Sequence, residues 1–367
     1  MNRTPQFSDA SQLVPLKALP LGASDEEVIA AVRNVAEAAT DFSWLSRGDS
    51  VLIKPASNSA GRYPATTSPL AIRAMVDLLK ARDAGRVIVA DKPGVEHVYQ
   101  GKKRRRSSSR EVMIINGLHQ ATVESRAEPH YFDEAGFDAY FGDHTEHDSH
   151  WKGELMFPSI LNQVDHVVLL PRVSRHVLAG TTLGLKAAVG WLRDDSRLEL
   201  HRDAKSFFEK IAEINDARVL RQKLRLVLTV ATKVQTTFGP DRGYAAEPNP
   251  GLIFASTSLL AHDMVSLGWL LWTREHGTPP AQLTRYRDPY LTYPGLINRL
   301  FVGYVWGLRQ LLRSETYERA AIRSVCTDPV ISRAATIWGG LPRLEVEDLG
   351  SGLDEKIRAY LMDKATS

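Results

Sequence analysis

Short apolar runs alternate with helix-patterned segments along much of the chain, and this alternation constrains the fold more than any other feature. The run SVLIKP at 50–55 ends in proline. The segment after it has helical spacing, with Ser68 as N-cap, Pro69 at the first helical position and Gly85 as a C-terminal signal. A second apolar run, RVIVADKPG, follows. Strand, helix and strand in this order predict a right-handed parallel crossover.

The same alternation recurs further along the chain. A helix-patterned segment leads into a strand within 157–171, another apolar run occupies 224–230, and an apolar strand leads into a helix within 251–272, with Ser256 or Ser258 as N-cap. These strands are apolar on both faces, which is typical of a sheet covered by helices on both sides. The sequence therefore predicts an α/β fold with a mostly parallel sheet.

The remaining segments are less regular and suggest the domain boundaries. We expect an N-terminal extension at 1–45, an α/β core at 46–275 with an irregular insertion at about 101–156, and a helical C-terminal region at 276–367. The apolar and aromatic stretch at 294–314 is expected to pack on the sheet or on another subunit, which makes a homo-oligomer a candidate assembly.

Charge and cysteine content exclude several classes of protein. The formal net charge is +3, and much of the basic excess lies in the run KKRRR at 102–106, so a nucleic-acid partner is disfavoured. The one cysteine, Cys326, excludes a disulfide framework and an iron–sulfur cluster held by one chain. No signal peptide and no membrane-spanning run are evident, so we expect a cytoplasmic protein without a membrane partner.

Polar residues follow the first strand, where open α/β sheets bind ligands. A capped helix start alone would explain Ser68 and Pro69 but not Lys54 at the end of the strand. The loop lacks the glycine spacing of a phosphate loop or dinucleotide fingerprint. We predict that it forms a substrate-binding mouth composed of Lys54, Asn58, Thr66, Thr67 and Ser68.

The segment GTTLGLKAAVG carries a lysine among apolar residues. We expect a helix over 180–192, opened by Gly180 and capped by Thr181 or Thr182, with backbone N–H groups offered to an anion. Lys186 would lie about one turn inside that helix, where burial is costly unless the amine is paired, attached to a ligand or partly neutral. A lysine that extends to solvent is the alternative.

Two histidines flank that lysine. His176 follows Arg172 and Arg175 at a strand end and is a candidate metal ligand or general acid/base, while the two arginines are expected to bind a carboxylate or phosphate of the substrate. The alternative is a loop histidine held by backbone contacts. For His201, the second candidate, the carboxylate of Asp203 is expected to fix the tautomer; a solvated helix start is the alternative.

Two further features are assigned structural roles. Asp263 lies in an apolar helix and is expected to hydrogen-bond a neighbouring loop or a site residue. His144, His147 and His150 recur every three residues among carboxylates, which resembles a metal site, but so polar a stretch favours a solvated loop.

Four blocks together resemble the domain of unknown function 362 family from about residue 50 to about residue 270. They are VLIKP with ATTSP, then VIVADKPG, then LPRVSRH with GTTLGLKAAVG, and GLIFASTSLLAHDMVSLG. Many members carry cysteine-rich iron–sulfur segments, which this sequence lacks. An aspartate that the family often has at the end of the fourth strand is replaced here by Ala231 and Thr232. The resemblance implies the fold and supplies no reaction.

A more distant likeness is chemically more specific. In nickel-pincer lactate racemases a lysine carries the pyridine-derived ligand, and a histidine binds the metal or moves the substrate's hydrogen. The likeness implies that Lys186 holds a cofactor and that His176 and His201 are metal ligands or catalytic residues. It also makes His97, just after the strand VIVAD, a catalytic candidate. The similar spacing comprises His176, Gly180, Lys186, Gly190 and His201.

Three function classes follow from these observations. The favoured one is an enzyme, isomerase/racemase-like or oxidoreductase, that acts on a small carboxylate-bearing metabolite by proton or hydride transfer. Its cofactor would be a transition metal or metal-organic group at Lys186 and His176. A non-catalytic metal-binding protein or redox/assembly partner is the alternative, and a nucleic-acid binder acting through the basic run is the third class.

Overall fold

The computed structural model describes residues 6–239, 241–277, 294–316, 320–350 and 352–367. The strands, numbered along the chain, are β1 (Phe7–Leu19), β2 (Ser50–Pro55), β3 (Arg86–Asp91), β4 (Tyr99–Gln100), β5 (Arg105–Arg106), β6 (Glu128–Tyr131), β7 (Tyr140–Asp143), β8 (Leu155–Pro158), β9 (His166–Leu170), β10 (Ser174–His176), β11 (Gly180–Thr182), β12 (Leu224–Ala231), β13 (Val234–Gln235), β14 (Ala245–Ala246), β15 (Gly251–Ser256) and β16 (Leu341–Asp348).

An eight-stranded sheet in the order β16-β1-β15-β12-β9-β2-β3-β6 forms the centre of the fold. Neighbours pair in parallel from β12 to β6, and β16 pairs in parallel with β1. Only β15 runs against its neighbours, β1 and β12, in this sheet of the described chain. The predicted α/β class with a mostly parallel sheet is confirmed.

Helices cover both faces of the sheet. Strand residues alternate between the two layers: in β2, Val51 and Ile53 pack under α1, α2 and α4, whereas Leu52 faces the opposite side. The helices are α1 (Asp25–Ala39), α2 (Pro69–Ala81), α3 (Ser109–Asn116), α4 (Leu118–Glu124), α5 (Gly184–Ala187), α6 (Asp194–Arg202), α7 (Phe207–Ile214), α8 (Arg218–Lys223), α9 (Leu259–His276), α10 (Pro294–Trp306), α11 (Leu308–Arg313), α12 (Pro329–Ile337) and α13 (Glu355–Thr366).

The crossover β2–α2–β3 forms as the sequence pattern indicates. Pro69 occupies the first turn of α2 after Ser68, and the helix ends at Ala81. Gly85 is not the residue that ends the helix. A Cβ there would lie 2.5 Å from the backbone oxygen of Gly48, so glycine permits close approach of two loops.

Segments expected outside the sheet contribute to it. Residues 1–45 contain β1 and α1, and β1 is hydrogen-bonded on both sides. The expected insertion at 101–156 contains β6, which pairs with β3. The mainly helical C-terminal region also supplies β16. Strand β6 has only four residues, and much of β1 and β16 is exposed or half-buried, so these strands lack the continuous apolar pattern of the central strands.

The direction of β15 differs from that of the other strands at the centre of the sheet. Because β15 is antiparallel to β12, its carboxyl end and Ser256 lie at the opposite edge of the sheet from the ends of β2, β3 and β9. The hydroxyl of Ser258 accepts a hydrogen bond from Ala261 N at 3.2 Å, so Ser258 is the cap of α9.

Helix α10 packs on α6 through one face and leaves the other exposed. Asn298 and Val302 are fully buried, whereas Leu300 and Tyr304 are 54% and 70% exposed. Association of subunits through this exposed face stays a prediction. No helix in the described ranges has the length and apolar character needed to cross a bilayer.

Candidate functional site

A cavity of about 450 Å³ opens beyond the carboxyl ends of β2, β3 and β9. Lys54 and Asp91 reach it from the ends of β2 and β3, and Arg172 reaches it from the loop after β9. His176 and Lys186 line it from the segment that follows. The position agrees with the general placement of ligands in open α/β sheets.

A buried ion pair lies at the base of the cavity. Lys54 Nζ lies 2.8 Å from Asp91 Oδ1, and both side chains are almost fully buried. The other oxygen of Asp91 accepts hydrogen bonds from the backbone N and the hydroxyl of Ser57, at 2.7 and 2.9 Å. Burial lowers the pKa of Lys54, and the Asp91 charge opposes that shift. The Lys54 amine is therefore held by Asp91, which limits its availability to a substrate.

A second buried pair supports one wall. Lys92 pairs with Asp194, and burial together with the nearby charge of Arg197 lowers the pKa of Lys92 to about 8. The Arg197 guanidinium donates to backbone oxygens, including those of Pro93 at 2.6 Å and Gly190 at 2.9 Å. These contacts tie α6 to the loop after β3.

The segment that carries Lys186 differs from the expected long helix. Residues 180–182 form β11, and the helix α5 begins at Gly184 and is followed by a 3₁₀ turn over Ala188–Trp191. Asp263 accepts hydrogen bonds from Gly184 N and Leu185 N, at 2.8 and 2.7 Å. These donors of the helix start are thus satisfied by a buried carboxylate and are not offered to an anion. Asp263 positions the turn that bears Lys186.

Lys186 is the cationic side chain that most resembles a reactive group. Burial, followed by repulsion from Arg172, lowers the pKa of Lys186 to about 7. Within the described residues, no hydrogen bond or ion pair reaches its amine. An amine with such a pKa is partly neutral at neutral pH and is therefore a base and a nucleophile.

The backbone fixes the tautomer of His176. Leu178 N and Ala179 N both donate to Nδ1, each at 3.1 Å. A backbone N–H can only donate, so Nδ1 holds the lone pair and a neutral ring carries its proton on Nε2. Burial, then the charge of Lys186, moves the pKa well below its usual range, which keeps the ring neutral. His176 thus offers an N–H donor, and Nε2 of this tautomer has no lone pair for a metal.

Asn298 fixes the opposite tautomer in His201. The Asn298 amide nitrogen donates to the backbone oxygen of His201 at 2.8 Å, so its Oδ1 must accept from His201 Nδ1, 3.3 Å away. Nε2 of His201 therefore holds a lone pair. Burial lowers the pKa of His201 to about 4, and the ring lies against Phe207, Phe301 and Trp306. A neutral Nε2 of this kind is suited to accept a proton or bind a metal.

The sequence profile of the family described as Domain of unknown function (DUF362) matches residues 51–268, more than half of the chain. The chain belongs to the DUF362 family. The matched region contains the sheet ends, Lys186 and both histidines, whereas Asn298 and α10 lie beyond it. No curated protein matched the sequence.

Two solved structures are similar to this DUF362 chain. The lactate racemase apoprotein from Thermoanaerobacterium thermosaccharolyticum shares 11% identity at a TM-score of 0.39, over 95% of this chain and 86% of that one. A protein from Thermotoga maritima solved by structural genomics shares 13% identity at a TM-score of 0.36, over 62% of this chain. The similarity covers 55% of the Thermotoga protein, about half of its length.

The structure separates the sequence-predicted candidates into two groups. The cavity lining includes Lys54, Asn58, Arg172, His176, Lys186 and His201. Arg175 instead donates to the backbone oxygens of His176 and Gly180, both at 2.5 Å, and so holds the β10–β11 turn. His97 lies at the rim, where its Nε2 is 2.6 Å from Asp241 Oδ2.

The three hydroxyl-bearing residues of the predicted substrate-binding mouth, Thr66, Thr67 and Ser68, are buried. Thr67 donates to the backbone oxygen of Leu170 and accepts from Ala56 N at 2.8 Å, which joins the ends of β2 and β9. Thr66 and Ser68 are also buried and, within the described chain, are not among the cavity-lining residues. Thr67 therefore holds the loop, whereas the buried Thr66 hydroxyl has no hydrogen-bond partner among the described residues.

Asp203 does not orient His201. Its carboxylate accepts from Lys152 and Arg202, at 2.7 and 2.8 Å. Burial alone would raise the pKa of Asp203, but these hydrogen bonds outweigh it and lower the pKa to about 2. The expectation failed because neighbours in a helix need not share a face, and the partner of His201 is distant in sequence.

The histidine-rich segment forms separate pairs, in agreement with the loop interpretation. His147 contacts Asp216 at 3.1 Å, and His150 contacts Glu213 at 2.7 Å. His144 is largely exposed beside Glu154. The three rings therefore use three different carboxylates.

Sequence reasoning missed five residues of the site. Asp91 and Lys92 lie in the segment VIVADKPG, and their position at the end of an apolar strand is a sequence signal that could have identified them. Glu96 directly precedes His97, but nothing in the pattern marked it. The remaining two, Asp241 and Asn298, come from loops or helices with no local motif and reach the site only through tertiary packing.

The buried Lys54–Asp91 pair requires glycine at 190. A Cβ at that position would lie 2.5 Å from Asp91 Oδ1 and 2.6 Å from Lys54 Nζ. We predict that Gly190→Ala lowers the free energy of unfolding by about 1–3 kcal/mol, measured by urea denaturation. Gly153→Ala is the matched control, since no heavy atom lies within 4 Å of its Cβ. Equal stability of the two variants would show that the pair tolerates displacement.

The two histidines should show opposite tautomers in ¹⁵N NMR spectra of the histidine-labelled protein. At pH 7 we expect protonated Nε2 in His176 and protonated Nδ1 in His201, and protonation of His201 only near its pKa of about 4. Asn298→Ala removes the acceptor and should give His201 a mixture of tautomers. A charged ring at pH 7, or the same tautomer in both residues, would contradict the assignment.

Proposed function

We propose that this DUF362 protein is an enzyme that transfers a proton or hydride at the carbon next to the carboxylate of a small anionic metabolite. One observation carries the proposal: a single cavity contains a partly neutral amine, an imidazole N–H donor and an imidazole lone pair. These are the complementary groups that acid–base chemistry at one carbon centre requires.

The surroundings favour a small anion as substrate. Arg172 and Lys186 line the cavity, and burial lowers the pKa of Arg172 to about 10, so the guanidinium stays charged at neutral pH. A planar guanidinium binds a carboxylate with two parallel hydrogen bonds. A volume of about 450 Å³ lies within the range of small-metabolite pockets.

Each reactive group has a role in this proposal. Lys186, with a pKa of about 7, takes or returns the hydrogen as a proton, because its two protonation states are similarly populated at neutral pH. His176 donates Nε2–H to the substrate oxygen on which negative charge develops. His201 Nε2 would accept the proton of a substrate hydroxyl only in the hydride route, in which a bound acceptor takes the C2 hydrogen with its electron pair; the proton route leaves the hydroxyl intact. Arg172 orients the carboxylate.

A bound metal-organic group is compatible with part of this donor set. A neutral Lys186 amine is suited to covalent attachment, and His201 Nε2 is suited to a metal. When bound, such a group would supply an acceptor for hydride. His176 does not fit as a ligand in the tautomer that its backbone contacts select, and it remains a donor to substrate.

The proposal is tested with C2-deuterated 2-hydroxy acids of three to five carbons, followed by NMR and chiral chromatography. We expect the wild type to invert or exchange at least one acid, and Lys186→Met to lose about 100-fold in rate. The exposed Lys205→Met is the matched control and should retain the wild-type rate.

The fate of the label distinguishes the two reactions. Loss of deuterium to solvent indicates proton transfer, whereas inversion with retained deuterium indicates hydride transfer. Unchanged turnover in Lys186→Met, or no reaction of any acid with the wild type, purified with and without added nickel, would contradict the proposal.

A further inference from the structure

A second set of chemically matched side chains lies at the rim of the cavity. Glu96, His97 and Asp241, here named the rim cluster, place one imidazole nitrogen and two carboxylate oxygens within 4.8 Å of one another. Glu96 and Asp241 also line the cavity. The His97 and Asp241 side chains are 31% and 24% exposed, in contrast to the buried pair at the base. The cluster is therefore accessible from both solvent and the cavity.

The Glu96 carboxylate of the rim cluster has no direct ion-pair partner among the described residues, and the charge of Lys186 acts on it from a distance. Asp241 contacts His97 at 2.6 Å, but no hydrogen bond from another described residue reaches the Glu96 carboxylate. Two carboxylates in such proximity repel each other unless a cation or a proton lies between them.

The loops that carry the rim cluster are held in place. Asn58 donates its side-chain amide to Asp241 Oδ1, and its backbone oxygen accepts from Gly94 N at 2.8 Å. His97 N in turn donates to Gly94 O at 2.9 Å. Asn58 has a φ of 25°, an uncommon conformation that these contacts maintain. Asn58 thus orients one Asp241 oxygen and leaves Oδ2 directed to the cluster, as supporting residues of metal sites do.

We propose that Glu96, His97 and Asp241 bind one divalent first-row transition-metal ion at the rim of the cavity. Two carboxylates and one imidazole suit Mn²⁺ or Zn²⁺, and a charge of two on the ion balances the two carboxylates. Three protein ligands leave coordination positions open, through which the ion would contact an oxygen of an anionic ligand in the cavity. Glu96 and Asp241 share the cavity with Lys186 and act on its charge, but the ligand atoms are not those of Lys186 or His201, and ion binding does not require the proposed reaction.

The histidine-rich segment provides a useful contrast. Its rings each face their own carboxylate, and the rim cluster is the group with three converging ligand atoms found among the described residues. Adventitious binding to that segment would survive changes at the rim. A variant in each region therefore separates the two sources of a metal signal.

In the test, the EDTA-treated protein is titrated with Mn²⁺ and binding is monitored by electron paramagnetic resonance. A second titration with Zn²⁺ is monitored by calorimetry. We expect one ion per chain, with affinity weakened about tenfold or more in Glu96→Gln and His97→Ala. His144→Ala should retain wild-type affinity. Thermal unfolding of the metal-free proteins shows whether each variant is folded.

Each other outcome overturns the proposal. Absence of binding by the wild type, unchanged affinity in Glu96→Gln, or loss of affinity in His144→Ala would each show that no ion binds at the rim. Failure of the proposed reaction is detected separately, because metal binding at the rim with no turnover of hydroxy acids rejects only the enzyme activity.

Discussion

The ion pair between Lys54 and Asp91 is the contact on which the arrangement of the cavity depends. It joins the carboxyl ends of two adjacent parallel strands, and Asp91 also binds the backbone and hydroxyl of Ser57. Gly190 allows the 3₁₀ turn after α5 to approach the pair. Breaking a buried pair by removing one partner typically costs about 3–5 kcal/mol, because an uncompensated charge remains. The strands and the segment that bears Lys186 are thus fixed relative to each other.

The pKa values of the buried cationic side chains depend on whether each one lies next to a carboxylate. Lys54 and Lys92 face Asp91 and Asp194, and these carboxylates offset part of the burial effect that lowers the pKa of both amines. Lys186 has no such partner in the described chain, and its pKa falls to about 7. Burial also lowers the pKa of His176 and of His201, so both rings are neutral at neutral pH. Their hydrogen-bond partners decide which ring nitrogen carries the proton. The cavity therefore contains a charged guanidinium, Arg172, and one amine, Lys186, that exchanges its proton near neutral pH.

Sequence patterns identified the central part of the fold and much of the cavity. The crossover through α2 was predictable because its cap, its proline and its apolar spacing are local signals. Lys186 was conspicuous because a lysine among apolar residues is costly to bury. The direction of β15 was not predictable, since an apolar run has the same pattern in either direction. Asn298 lies 97 residues from His201, and no local signal connects them. Asp203, although near in sequence, pairs with basic residues instead.

The central claim is that Lys186 is a buried amine that is partly neutral at physiological pH. The most direct measurement is an NMR titration of the protein labelled with ¹³C at lysine Cε, with Lys186→Met used to assign the resonance. The account predicts a midpoint near the pKa of about 7. A midpoint near about 10.4, the value of an ordinary lysine, would contradict the account, because the amine would then be a permanent cation at neutral pH.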